Sequence, residues 1–114
     1  MKSFTLSPEL QTDPRLSTLV ERTRPILEDV LGQSAGLVDA EWKLAQDHGR
    51  PAVILKLRDF TYPPGCEKRF SPDDLEGGAY LRQEFHRLWG DLLQARLGEI
   101  VGTLQRMMPD RAGR

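Results

Sequence analysis

Cys66, His48 and Asp59 are the residue types of a thiol nucleophile, its general base and the carboxylate that orients that base. Cys66 follows Pro63-Pro64-Gly65 and precedes Glu67-Lys68-Arg69, so neighbouring cations would lower its pKa while Glu67 opposes them. Only folding could unite the three, since no local spacing links them. The simpler reading of Cys66 is an inert loop cysteine. Glu84 and Asp91 stand seven residues apart, which places both near one face of a helix, the arrangement of paired acid–base carboxylates. Arg82, Arg87 and Gln94 surround them, so the expectation is a solvated, salt-bridged face. His86 has no Glu or His three or four positions away. Two histidines and one cysteine make a poor zinc set, and no metal or other cofactor is expected. The sequence has no P-loop, G-x-G-x-x-G, H-E-x-x-H, C-x-x-C or G-x-S-x-G.

The elements that would position these residues are read from caps and periodicity. Residues 1–12 are expected as an N-terminal arm in which Ser7-Pro8-Glu9 could start one helical turn. Asp13-Pro14 is a stronger start of the same kind. After it, Leu16, Leu19, Val20, Leu27, Val30 and Leu31 recur at helical spacing, and Gly32 is a C-terminal stop. Pro25 falls inside that pattern and predicts a kink near Glu21–Arg24, or two short helices in place of one. The period then changes to two. Val38, Ala40, Trp42 and Leu44 alternate with Asp39, Glu41 and Lys43, and a second strand follows from Ala52 to about Phe60. Asp47 to Pro51 is turn chemistry and suggests a loop longer than the minimum. Tyr62-Pro63-Pro64-Gly65 should end the second strand, leaving at most a short third one over Cys66–Phe70.

Ser71-Pro72-Asp73-Asp74 reads as a capping box, with Phe70 and Leu75 as its hydrophobic staple. Gly77-Gly78 should interrupt the helix, which restarts near Ala79 and runs to Met108. A helix of that length spans about 45 Å. At 100° per residue, Leu81, Phe85, Leu88 and Leu92 form one stripe. Leu93, Leu97, Ile100, Val101, Leu104, Met107 and Met108 form another, displaced by about 100°. Trp89 lies between them, and Ala95, Gly98 and Gly102 lie on the far side. A displaced stripe predicts a change of packing partner near Trp89–Leu93. The first half should cover the hairpin's Val38/Trp42/Leu55/Leu57 face. The second half packs either on the N-terminal helix or on another copy of the chain.

The fold expected is therefore α+β: a Pro25-kinked N-terminal helix, an antiparallel β-hairpin and a long C-terminal helix. One domain spans residues 13–108, with a tail over 109–114. Its 114 residues suffice for one core. The net charge of −1 is spread evenly over the thirds of the chain, so no basic stripe for phosphate and no acidic tail is present. A lone cysteine and an N-terminus without an apolar run point to the cytoplasm, and no stretch approaches the length of a membrane span. With the short third strand included, the order helix–strand–strand–(strand)–helix is also that of double-stranded-RNA-binding domains, as a fold-level analogy. Those carry lysines at the start of the last helix, where Ser71 to Glu76 is acidic here, so nucleic acid is not the expected partner. The functional expectation is a non-catalytic protein–protein interaction module that self-associates, as a homodimer or with another protein, through Leu97, Val101, Leu104 and Met108. The alternative is a ligand-binding or enzymatic pocket around Trp42, Cys66 and His86.

Overall fold

The computed structural model describes residues 2–59 and 62–107. It is α+β: a four-stranded mixed sheet with its helices against one face. Strand β1 (Ser3–Leu6) leads into a single helical turn, α1 (Pro8–Gln11), and then helix α2 (Pro14–Leu31). A 3-10 segment (Gly32–Leu37) connects to β2 (Asp39–Asp47), β3 (Arg50–Asp59) and β4 (Tyr62–Phe70). The chain closes with α3 (Pro72–Glu76) and α4 (Gly78–Met107). The sheet order is β1-β2-β3-β4, with β1 parallel to β2 and the other pairs antiparallel.

The sheet is thus larger than the expected hairpin. Residues 3–11, read as an arm, supply a strand in register with β2 from Ser3 opposite Asp39 to Leu6 opposite Trp42. Four residues are too few for alternation to register as a signal, and parallel pairing needs a crossover, here α1 and α2. The tail over 109–114 lies outside the described residues. Strand β4 includes Pro63 and Pro64, contrary to the expectation that they end a strand. It is an edge strand, and Pro63 and Pro64 fall at its register shift, between the Asp59–Tyr62 and Leu57–Cys66 pairs, where neither is paired with β3. The β2–β3 loop is minimal, not extended. Asp47 pairs with Arg50, and His48 (φ 51°) with Gly49 (φ 78°) makes a two-residue turn with both φ values positive, as type I′ requires.

Helix starts follow their caps. Leu16 N–H donates to Asp13 Oδ1 at 3.1 Å, and Ser71 and Asp74 form a reciprocal capping box. Glycine breaks the last helix at Gly77, as its sequence predicts. The kink expected at Pro25 is not evident, because α2 is assigned as one helix through it. Pro25 is exposed, so the carbonyl it leaves unbonded faces solvent, while Leu16, Leu19, Val20, Leu27, Val30 and Leu31 are all buried on the other side.

One face of the sheet is wet and charged. There Ser3 Oγ donates to Asp39 at 2.6 Å, Arg58 pairs with Glu41 at 2.8 Å and Lys43 reaches Glu67 at 3.8 Å. The other face holds the core: Ala40, Trp42, Val53, Leu55, Leu57 and Phe70, covered by α2 and by Leu81, Phe85, Leu88 and Leu92 of α4. Trp42, Phe70 and Phe85 form an aromatic centre with ring centroids 5.7–6.4 Å apart.

Candidate interaction surface

The chemistry-bearing residues do not converge. Cys66 pairs with Leu57 near one end of β3, and Asp59 lies at that end. His48 sits in the turn beyond the other end, about 30 Å away at 3.3 Å per residue, with its ring exposed and its Nε2 3.5 Å from Asp47 Oδ1. The Cys66–His48–Asp59 constellation therefore cannot assemble within the chain. Asp59 is buried instead as a structural carboxylate, accepting from Tyr62 N–H at 2.9 Å and from Arg96 Nη1 at 3.0 Å. The Trp42–Cys66–His86 pocket fares similarly: Trp42 is enclosed in the core, Cys66 is half-buried and His86 is exposed. Grooves of about 400 Å³ occur elsewhere, one lined by Asp13, Leu44, Gln46 and Pro51, another by Arg15, Asp47, Arg50 and Asp73. Among the described residues no cluster of His, Cys, Asp and Glu could hold a metal ion.

The Glu84/Asp91 face differs from expectation in one respect. Asp91 is exposed, but Glu84 is buried, held by Lys68 at 3.0 Å and Arg87 at 3.3 Å. Helix α4 lies over the edge strand β4, where Glu84 meets Lys68, while Asp91, seven residues on, is exposed but close enough for its charge to act on Cys66. The hydrogen bond to Glu84 raises the Lys68 pKa above its ordinary value of 10.5. Burial, then the charge of Asp91, raises the Cys66 thiol above 9.0. Both groups favour the protonated form when folded. Their contribution to stability is complete below their unfolded pKa values and is lost as pH rises through the folded ones. Urea midpoints should accordingly fall above about pH 9, as these two groups titrate. Cys66 should also react with a maleimide more slowly at pH 7 than the same thiol in the urea-unfolded chain; an equal rate would contradict its raised pKa.

What the fold does bring together is the outer stripe of α4. The first stripe is spent on the core: Leu81, Phe85, Leu88 and Leu92 are all buried. The second is uncovered, with Leu97 61% exposed, Ile100 50%, Leu104 51%, Val101 44% and Leu93 39%. Helix α2 packs against α4 but does not cover this stripe, which excludes the N-terminal helix as its partner. Arg96, through Asp59, fastens the last point at which α4 touches the sheet's end. From Leu97 to Arg106 every side chain is exposed, and only Gly102 is classed as partly covered. Three of the four expected interface residues, Leu97, Val101 and Leu104, are in this run, and Met108 lies outside the described residues. Monomeric proteins seldom expose contiguous apolar surface of this kind without a partner.

No match is found for this chain among protein-family models, curated proteins or solved structures. No helix among the described residues is long and apolar enough to cross a membrane.

Proposed function

We propose that the chain is a non-catalytic protein–protein interaction module that self-associates through the second half of α4. The observation that carries this reading is the exposure of Leu93, Leu97, Ile100, Val101 and Leu104 along one side of a helix that extends about 22 Å past Leu92. Two copies contribute ten such side chains, each about half exposed. Burying that remainder yields about 1 kcal/mol each, on the order of 10 kcal/mol in all. The loss of translational and rotational freedom on association takes back about 4 kcal/mol or more. The difference corresponds to a dissociation constant on the order of tens of micromolar. A charge-balanced surface with a single cysteine suits a reducing, cytoplasmic setting.

Light scattering at several hundred micromolar should therefore give twice the chain mass of 12.9 kDa. Leu104→Glu should return it to the single-chain mass, weakening association at least about 100-fold, because two carboxylates would enter the apolar contact. At a few micromolar, where both chains are monomeric, its unfolding free energy should stay within about 0.5 kcal/mol of the parent, since Leu104 is half exposed and lies outside the core cluster. A parent protein that remains monomeric at that concentration would sink the proposal.

A further inference from the structure

The exposed stripe has a spacing that specifies more than attraction. Leu93, Leu97, Ile100 and Leu104 follow one another in steps of four, three and four, the a/d alternation of a two-helix seam. The seam and its flanks carry one charge, Arg96, and Asp59 already holds it. Upstream of Leu93 the same side of α4 is exposed at His86 but is bordered by α2 nearer the helix start. Arg82 pairs with Asp29 of α2. At 100° per residue, Leu93 lies within about 20° of Arg82 around the helix axis, and Ile100 lies directly in line with it. A partner helix lying on the seam thus meets α2 if it continues alongside the first half of α4, and by symmetry each copy obstructs the other.

We infer that two copies pair antiparallel, with Leu93 against the partner's Leu104 and Leu97 against the partner's Ile100. This rests on the self-association proposed above and assigns its geometry. In the antiparallel arrangement each helix ends beside the start of the other's seam. The first half of each partner helix then lies beyond residue 107 of the other helix, at the end away from α2, so neither α2 is met. The four-three-four spacing is retained when the direction is reversed, because 93 with 104 and 97 with 100 form successive layers. Opposed helix dipoles add in the same sense. A parallel pair brings both folded bodies, and both copies of α2, to one level along the axis.

The test places a nitroxide on Cys at Gln83→Cys in a Cys66→Ser background, at an exposed site outside the seam. Mass is measured on the same sample. The antiparallel register separates the two labels by about 45 Å along the axis, from 1.5 Å per residue. A parallel pair, with axes 8–10 Å apart, holds them within about 30 Å. A dimeric mass with a distance near 45 Å, lost on adding Leu104→Glu, supports the assignment. A dimeric mass with a distance below about 30 Å overturns the orientation and leaves self-association standing, whereas a monomeric mass removes both. Disulfide trapping gives a second reading in the same background. Oxidising an equimolar mixture of Leu97→Cys and Ile100→Cys chains should yield the mixed dimer in preference to either like pair. A parallel seam gives the reverse, because like residues then share a layer within disulfide reach.

Discussion

Gly65→Ala should lower the unfolding free energy by about 2–4 kcal/mol, a large share of the roughly 5–15 kcal/mol available to a domain of this size. Gly65 has φ +68°, a region that costs an L-residue about 1–2 kcal/mol. It also lies hard against the neighbouring strand. A Cβ at this position would stand 2.5 Å from the Leu57 carbonyl oxygen and 2.9 Å from Arg58 Cβ. Both obstacles belong to β3 beside its register shift at Leu57/Asp59, where the backbone has little room to yield. The carbonyl is a rigid neighbour, unlike the end of a flexible side chain. The effect should appear in urea denaturation as a lower midpoint at an unchanged slope. Gly78→Ala is the control: nothing lies within 4 Å of a Cβ there and its φ is not positive, so its effect should be small or stabilising. Equal destabilisation by the two would show that the close approach of β4 to β3 does not govern the Gly65 site.

Phe85→Ala should cost about 3–5 kcal/mol, the range for deleting a buried aromatic ring. Phe85 is fully buried and is the ring that α4 contributes to the aromatic centre, edge-on to Phe70 at 5.7 Å and to Trp42 at 6.4 Å. Its loss removes the aromatic contact between the long helix and the middle of the sheet. Near-UV circular dichroism should weaken, because both neighbouring rings lose a fixed wall. Trp42→Phe should cost less than Phe85→Ala. It removes some volume, but also removes an indole N–H that is buried with no hydrogen-bond partner among the described residues, a group whose desolvation costs about 1–3 kcal/mol. Finding Trp42→Phe the more damaging of the two would mean that the indole's shape outweighs its unsatisfied donor.

The surface ion pairs carry an asymmetry of their own. Glu84 is buried while Lys68 is partly exposed and Arg87 largely so. Truncating Lys68 leaves a buried carboxylate with one fewer cation, whereas truncating Glu84 releases two cations that solvent receives readily. The sequence could place these three residues on neighbouring elements, but not rank them. Burial is set by what lies opposite, and Glu84 is covered because α4 happens to cross the edge strand at that turn. The paired-carboxylate reading fails for the same reason, since Asp91 lies two helical turns on, in water.

Much of the helical architecture was legible in the residues alone. Asp13-Pro14, Ser71 to Asp74 and Gly77 act through hydrogen bonds and dihedral preferences within a turn of the chain, so they decide where helices start and break wherever the rest of the molecule lies. The two stripes of α4 are equally local, being a matter of angle around one axis. That is why the burial of Leu81, Phe85, Leu88 and Leu92 agreed with their spacing, and why a change of partner near Trp89 could be expected. The sheet was a different matter. Ser3–Leu6 becomes a strand because β2 offers an edge 36 residues later, and Tyr62–Phe70 accommodates two prolines because they fall at a register shift of an edge strand. Neither condition is written in the segment concerned. The functional surface divides along the same line: residue types and spacing determined that the second half of α4 has an apolar side, while only the tertiary structure decided that α2 leaves that side uncovered. Periodicity says which residues share a face, and the presence or absence of a neighbour across that face depends on the whole fold.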